Sequence, residues 1–367
     1  MKERKTIIRK SFLIVVFFSW EENMGTQEQE RSKAEVGVGI TGLPSPQIAE
    51  EGSAPGPTIE LADRPAITLE GEPVELLAQQ ELSEFLTEAL LPRWRTQLVT
   101  NPLPEEREKM VARLCAESEI CRILHQWPAS DAMLRLVYYH QVQKPVDVWL
   151  SGGPSGQALR DRLRFCSQWL GQWLVHNRGR PKLVMDPGGG HAPYGFGAII
   201  EAERRARRES WKVTARDLQW SVVDLDQITV EYGQEMARQK KLDQLVHFQK
   251  ANFMSRGFIH PQVDLVVLIG VLCGMTEEEA VKCLVRISDF VKPGGEILAA
   301  TLRDTAFAED PMTFRTLCNV IGWHLRPKTL SQVKRVFTKA GLQIKGIMSE
   351  RAYGDGQYAI VHAINPA

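Results

Sequence analysis

A turn of three glycines lies between two acidic residues near the middle of the chain. Asp186 ends a short apolar run and is followed, after one proline, by Gly188, Gly189 and Gly190. A second apolar run ends in Asp224. Glycines let the main chain approach a bound molecule that a Cβ would keep away, and one carboxylate can accept hydrogen bonds from two sugar hydroxyls. These residue types in this order predict a crevice that holds a nucleoside.

Short apolar runs alternate with helix-like segments in this half of the chain. The expected strands are residues 183–186, 221–225, 246–249, 263–268 and 296–301. The expected helices are residues 193–209, 228–240, 276–291 and 330–340. This alternation favours an α/β fold with a parallel sheet covered on both faces. The runs 343–349 and 358–364, joined through Gly354 and Gly356, predict an antiparallel hairpin at the edge of that sheet.

The N-terminal half of the chain is expected to be a tail followed by helices. Residues 1–70 are interpreted as a disordered tail, because most of this segment is rich in Gly, Pro, Glu and Ser and poor in aromatic residues. Residues 75–150 predict a helical extension or lid, with helices over 75–92, over 104–127 and from Ser130 or Asp131 onward. Residues 151–367 are the expected α/β domain, and Ser155 is the expected cap of its first, amphipathic helix.

Composition narrows the class of protein. The 367 residues include 45 Lys and Arg and 45 Asp and Glu, so the formal net charge is zero. The lack of a basic surplus counts against a dedicated nucleic-acid-binding protein. The 6 cysteines form no C-x-x-C pair, and most lie in apolar, helix-like patterns. We therefore expect reduced thiols in a reducing compartment and no metal site.

The first 23 residues admit three interpretations. A basic segment followed by an apolar run resembles the start of a signal peptide, but Glu21 and Glu22 follow at once and no small-residue cleavage site is visible. The segment is otherwise a real start, or it lies upstream of the true start at Met24. The favoured interpretation is a cytoplasmic protein with a disordered beginning. No segment has the length and apolarity of a membrane span, so no membrane partner is expected.

From about Lys182 to its end, the chain resembles the class I S-adenosylmethionine-dependent methyltransferases. Asp186-Pro-Gly188-Gly-Gly190 matches their D-x-G-x-G loop, and Asp224 matches the acid that closes their second strand. The segment that begins Asp264-Leu-Val-Val-Leu-Ile-Gly resembles their fourth strand, and Phe290-Val-Lys-Pro-Gly-Gly-Glu resembles the helix end before their fifth strand. The order and spacing of these pieces carry the resemblance.

The resemblance implies a Rossmann-like, seven-stranded, mostly parallel sheet with a C-terminal antiparallel hairpin, and S-adenosylmethionine as cofactor. It implies that Asp224 holds the ribose and that Asn252 faces the adenine. It also implies that Gly270 lies in the loop bordering the methyl donor. With Asp186 and the three glycines, these residues form the expected cofactor site. The layout is similar to that of bacterial methyltransferases without an assigned substrate, so the resemblance ends at the donor.

A small-molecule acceptor with a hydroxyl, carboxylate or amine is the favoured substrate. The loop Ile269-Gly-Val-Leu-Cys273 differs from the N/D-P-P-Y sequence of amino-methylating DNA enzymes, which again counts against nucleic acid. His191, beside the glycines, and His324, after the fifth strand, are the candidate catalytic bases. Packing in the donor loop is the alternative role for His191. The acceptor, the methylated atom and the oligomeric state stay open.

Two other classes of protein remain as alternatives. A nicotinamide-dependent oxidoreductase also needs a glycine turn and a second acid, but its G-x-G-x-x-G motif would require glycine at Pro193. A non-catalytic nucleoside-binding protein could share the same fold. Single residues also have plainer roles: Asp226 is expected to cap a helix, and Asn252 fits a turn as well as an adenine contact.

Overall fold

The computed structural model describes residues 104–128, 130–207, 210–351 and 356–366. The predicted tail, the helix predicted over 75–92 and most of the hairpin turn around Gly354 lie outside these ranges. None of the helices within them is long and apolar enough to span a membrane.

One mixed sheet organises the molecule. Its strands, in chain order, are β1 Lys182–Pro187, β2 Leu218–Asp224, β3 Val246–Lys250, β4 Val263–Ile269, β5 Val291–Leu302, β6 Gln343–Ser349 and β7 Tyr358–Ile364. The spatial order is β3-β2-β1-β4-β5-β7-β6. The first five strands are parallel, and β7 pairs antiparallel with both β5 and β6. The predicted seven-stranded, mostly parallel sheet with a C-terminal hairpin is therefore confirmed.

Helices precede the sheet and connect its strands. Before β1 lie α1 Pro104–Glu117, α2 Glu119–Gln126, α3 Ala132–Tyr138, α4 Pro145–Gly152 and α5 Pro154–His176. The connecting helices are α6 Pro193–Arg205, α7 Gln227–Gln239, α8 Glu277–Phe290, α9 Thr305–Glu309, α10 Pro311–Phe314 and α11 Leu330–Lys339. A 3₁₀ turn, Val271–Gly274, follows β4, and a π-helix, Arg315–Ile321, follows α10.

The central strands of the sheet are buried on both faces, which explains why strands such as β4 are nearly all apolar. Successive side chains of a strand point to opposite faces. Val184 and Leu265 belong to a core shared with α5, α6 and the N-terminal helices, whereas Met185 and Val266 belong to a second core with α8 and α11. All four side chains are at most 1% exposed.

The predicted helix over 104–127 is two helices, because a buried acid interrupts it. Ser118 is the N-cap of α2, and its hydroxyl accepts a hydrogen bond from the Cys121 amide. Asp147 of α4 accepts hydrogen bonds from the Ser118 hydroxyl and from the amides of Glu119 and Ile120. These amides would otherwise be unpaired at the start of α2.

Asp147→Ala is expected to lower the free energy of unfolding by about 1–3 kcal/mol, because it leaves buried donors at the start of α2 without an acceptor. Asp147 is 1% exposed. Urea denaturation monitored by circular dichroism measures the change. Asp161→Ala, which removes a surface partner of Arg164, is the control and should cost less than about 0.5 kcal/mol. Equal effects of the two substitutions would contradict this role for Asp147.

The predicted cap of the long helix α5 is wrong. The helix begins at Pro154 with Gly153 in the N-cap position. Ser155 lies inside the first turn, and its hydroxyl and amide both donate to the Asp310 carboxylate, at 2.7 and 3.1 Å. A proline at the first helical position fits because its missing N–H would have no partner there.

Candidate functional site

The three glycines form the turn between β1 and α6 at the carboxyl end of the sheet. Gly188 and Gly190 have φ values of +68° and +59°, a backbone region that side-chain-bearing residues rarely adopt. The Gly188 amide donates to the Val223 carbonyl of β2 at 2.7 Å. This hydrogen bond holds the turn against the end of the neighbouring strand.

Each glycine also allows a close approach by the protein itself. A Cβ on Gly189 would lie 2.5 Å from Cγ of Asp186, and one on Gly190 would lie 2.5 Å from Oδ1 of Asp131. A Cβ on Gly188 would lie 2.8 Å from Cγ2 of Val271, in the turn after β4. Gly188 is the exposed member of the three, whereas Gly190 is buried. Packing against the protein's own side chains thus requires glycine at all three positions.

Asp224 lies at the end of β2 with its side chain directed at the glycine turn. One carboxylate oxygen accepts from the Gly190 amide and the other from the Asp226 amide, both at 3.0 Å. Burial raises the pKa of Asp224, and the two backbone amides partly oppose this shift. A carboxylate offers about four lone-pair sites, so each oxygen of this partly buried group retains one acceptor site. The geometry therefore suits a second pair of donors, such as ribose hydroxyls.

Asp186 is the buried acid at the end of β1. It is 1% exposed, and desolvation raises its pKa to about 8. Its Oδ2 atom has no hydrogen-bond partner among the residues that the structure describes. Because its pKa lies above neutrality, the carboxyl group is protonated at pH 7, and it packs against Gly189 of the turn.

Asp186→Asn is expected to remove one component of the pH dependence of stability. The native carboxyl holds its proton up to about pH 8, whereas the unfolded one loses it near pH 4. The native state therefore binds more protons between these values, and its stability falls as pH rises through that window. Urea unfolding at pH 5 and pH 8 should show the variant gaining about 1–3 kcal/mol over the wild type at the higher pH. Parallel pH profiles would contradict the shift.

His191 follows the glycines and is fully buried. Its Nδ1 lies 2.5 Å from Oδ2 of Asp131, and its Nε2 lies 2.8 Å from the Tyr139 hydroxyl. Asp131 precedes α3, where its side chain makes no cap hydrogen bond. It serves instead to join the helical extension to the glycine turn. Because both ring nitrogens are engaged, His191 has a packing role in this conformation.

The turn after β4 packs against the glycine turn from the other side of β1. Gly270 has a φ of +85° and its amide donates to the Ala300 carbonyl at 3.0 Å. The Lys328 ammonium is buried and donates to the carbonyls of Leu272 and Met275, each at 2.8 Å. These bonds fix the segment that packs on Gly188 through Val271.

Asn252 and His324 occupy more exposed positions. The Asn252 carbonyl oxygen accepts from the Met254 amide at 2.9 Å, which makes a local turn after β3. That oxygen retains a second lone pair, and the amide nitrogen makes no hydrogen bond to the residues that the structure describes. His324 is exposed in the irregular segment after the π-helix, and its carbonyl lies 3.3 Å from the Cβ position of Gly274.

Asp226 caps α7 by accepting a hydrogen bond from the Ile228 amide, as predicted.

Sequence reasoning missed the side chains that helices contribute to this region. Asp131 was expected only as a cap, and Arg162 was not singled out at all. A signal for Arg162 exists, because it falls among Leu159, Leu163 and Cys166 on the apolar face of α5. A charged residue in such a stripe needs a buried partner or a ligand. Among the described residues, no group of three or more His, Cys, Asp and Glu could hold a metal ion.

Comparison with known proteins agrees with this geometry. Residues 208–299 match the family model described as "Methyltransferase domain". No curated protein matches the sequence. The solved structure of a possible exported protein from Bordetella parapertussis is similar over 79% of this chain and 97% of that one, with 17% sequence identity and a TM-score of 0.55.

Two structures of named methyltransferases are also similar. Magnesium protoporphyrin IX methyltransferase from Synechocystis PCC 6803, with bound S-adenosylhomocysteine (SAH), is matched over 67% of this chain and 99% of that one, at 12% identity and a TM-score of 0.47. Mitomycin 7-O-methyltransferase is matched over 67% and 60%, at 14% identity and a TM-score of 0.43.

The order and directions of the strands define a class I methyltransferase fold. The matched family model covers β2, β3, β4 and most of β5. The chain therefore has the fold of the class I methyltransferases, and residues 208–299 match a methyltransferase domain.

Proposed function

We propose that this protein is an S-adenosylmethionine-dependent methyltransferase, which binds S-adenosylmethionine across the carboxyl ends of β1, β2 and β4 and methylates a small-molecule acceptor. The observation that supports this most directly is the Asp224 carboxylate. It is fixed by the Gly190 and Asp226 amides and still has an acceptor site on each oxygen. It lies next to the exposed, Cβ-free Gly188, at the edge of an α/β sheet where ligands bind.

The residues present fit a nucleoside donor. Asp224 would accept the two ribose hydroxyls, and the glycine turn would let the main chain approach the donor. Asn252 would face the adenine with its amide group, and Gly270 would border the methionine side. When bound, S-adenosylmethionine supplies an electrophilic methyl group on a sulfonium. The chain's own residues then need to align the acceptor and exclude water rather than form a covalent intermediate.

A catalytic base is required only where the acceptor must lose a proton. His191 could serve only after breaking its contact with Asp131 or Tyr139. His324 is exposed and its ring makes no hydrogen bond within the described residues, so it is the more accessible of the two candidates. A base is effective when it reaches the proton directly or through one water.

The helical extension over 75–150 is proposed as a lid for the donor site, followed by the methyltransferase domain over 151–367. The described part of the extension supports this role at one point. Asp131 approaches Gly190 and His191 directly, so α3 rests on the glycine turn. A lid of this kind would shield the donor from water.

A cytoplasmic location is also proposed. The supporting observation is the state of the described thiols. Cys121, Cys166 and Cys283 are buried and unpaired, and burial raises the pKa of each to about 12. Such thiols are inert and suit a reducing compartment.

Transfer of a labelled methyl group tests the function. The purified protein is incubated with methyl-labelled S-adenosylmethionine and separate metabolite, nucleic-acid and protein fractions of a cell extract. We expect label in the metabolite fraction, and none with Asp224→Ala. Label confined to nucleic acid or protein would contradict the small-molecule acceptor.

A non-catalytic nucleoside-binding protein is the second candidate. The engagement of both His191 nitrogens favours it, because neither ring nitrogen is then free to take a proton from an acceptor at the glycine turn. Binding of SAH without label transfer to any fraction would support it. The structure does not support a nicotinamide-dependent oxidoreductase, because Pro193 begins α6 at the position where the dinucleotide-binding motif needs glycine.

A further inference from the structure

Arg162 is a buried cation in the middle of α5. The residue is 3% exposed. Its Nε donates to the Tyr194 hydroxyl at 3.0 Å, and its Nη2 donates to the Tyr138 hydroxyl at 2.8 Å. The guanidinium carbon lies 4.4 Å from the centre of the Tyr358 ring. Three tyrosines thus surround the charge.

These tyrosines solvate the charge without neutralising it. Burial raises the pKa of Tyr194 and of Tyr358, so both phenols are uncharged at neutral pH. Within the described ranges, no carboxylate lies within 4.0 Å of the guanidinium. The nearby buried Glu350 carboxylate instead accepts hydrogen bonds from the amides of Gln357 and Tyr358. An unpaired charge is expensive to bury, so a partner is needed.

The hydrogen-bond inventory of this cluster has a surplus of donors. A guanidinium has five N–H groups, and two of them are used here. The Tyr138 and Tyr194 hydroxyls share one hydrogen bond at 2.7 Å and each accepts one from Arg162. One phenolic proton is therefore left without an acceptor among the described residues. Only a group that accepts several hydrogen bonds and carries negative charge balances such a cluster.

The unused edge of Arg162 lies at the loop that borders the donor. The Cβ position of Gly270 is 3.7 Å from Nη1 and 3.9 Å from Nη2. Gly270 directly follows β4, whose neighbour in the sheet is β1. Because β1 and β4 are the strands where the order of the sheet reverses, this edge lies at the position where ligands of such folds bind. A larger side chain at residue 270 would cover it.

We propose that Arg162, with the Tyr138–Tyr194 hydroxyl pair, binds a carboxylate at the Gly270 end of the crevice. The carboxylate belongs either to the amino-acid part of the donor or to the acceptor. The planar guanidinium can hold it through two parallel hydrogen bonds. This assignment rests on the proposed donor crevice and deepens it, because it names the chemical group that the crevice must recognise besides the nucleoside.

Isothermal titration with two ligands tests the donor source. One ligand is SAH, and the other is its decarboxylated analogue, 5′-(3-aminopropylthio)-5′-deoxyadenosine. In the wild type, loss of the carboxylate should weaken binding about 10- to 100-fold. Arg162→Gln should weaken the binding of SAH by a similar factor and leave the affinity for the analogue unchanged. Arg164→Gln, on the exposed face of the same helix, is the matched control and should change neither affinity.

Small carboxylates test the acceptor source. If the two nucleosides bind the wild type equally, the SAH-loaded protein is titrated with benzoate and with benzamide. A thermal shift with benzoate alone, lost in Arg162→Gln, supports an acceptor carboxylate. Should the glutamine variant fail to fold by circular dichroism, Arg162→Lys takes its place, because it keeps the charge but loses the planar fork.

The inference is overturned if substitutions of Arg162 change neither the affinity for SAH or its analogue nor the thermal shift with benzoate. That outcome leaves the proposed function standing, provided that the wild type binds both nucleosides. Failure of the wild type to bind either nucleoside would instead remove the donor crevice itself. The two failures are therefore distinguishable in one set of titrations.

Discussion

Asp224→Ala is expected to raise the dissociation constant for SAH about 100-fold. The substitution removes both hydrogen bonds that the carboxylate would accept from the ribose, and each bond to a charged group contributes about 1.5 kcal/mol or more. It also leaves the Gly190 amide without its acceptor, so the glycine turn loses a contact that holds it in place.

Isothermal titration calorimetry measures this change, and Asp226→Ala is its matched control. Asp226 lies two residues away, and its carboxylate caps α7 through the Ile228 amide and the Thr229 hydroxyl. Its removal should lower stability by about 1 kcal/mol and leave SAH affinity within about twofold. If Asp224→Ala bound SAH as tightly as the control does, Asp224 would not be a donor ligand.

Asp131→Ala is expected to lower the free energy of unfolding by about 3–5 kcal/mol. The residue is 9% exposed and contacts the fully buried His191 at 2.5 Å. Arg135 lies nearby, at 3.9 Å. Removing the carboxylate leaves the His191 ring nitrogen without its partner and Arg135 without this counter-charge, and it opens a gap over Gly190.

Urea denaturation at pH 7 measures the loss, and Asp289→Ala is the control. Asp289 is 59% exposed and pairs with Arg286 at the surface, so its removal should cost less than about 0.5 kcal/mol. Asp131→Asn keeps the shape and one acceptor oxygen, and we expect an intermediate loss. A cost for Asp131→Ala no larger than that of the control would show that the contact with His191 contributes nothing to folding.

The sheet and its connections follow from local signals in the sequence. Buried parallel strands are continuous apolar runs, and helices between them begin at recognisable residues such as Asp226. The two hairpin strands coincide with the predicted ranges 343–349 and 358–364. Turn chemistry and period are properties of neighbouring residues, so they can be read without knowledge of the fold.

Features that depend on distant residues could not be predicted in this way. The interruption of the helix over 104–127 at Ser118 depends on Asp147, 29 residues further along the chain. The role of Asp131 depends on His191, 60 residues away. Asp131 resembles a helix cap in sequence, but its carboxylate binds more favourably to a buried partner that only the fold brings near.

The candidate site likewise contains residues that local sequence signals predict and residues that only the fold brings together. The glycine turn and Asp224 belong to two strand ends that the motif identifies, and their contact at Gly190 follows from the pairing of β1 with β2. Arg162 reaches the Gly270 loop from α5, and it has no motif of its own. Its surroundings of Tyr138, Tyr194 and Tyr358 come from three separate elements.

A crystal structure of the protein with SAH tests the central claim most directly. We predict that both ribose hydroxyls lie within about 3 Å of the Asp224 carboxylate, with the thioether side of the ligand between the Gly188 turn and Gly270. Electron density for SAH elsewhere on the molecule, or a ribose without contact to Asp224, would contradict the account.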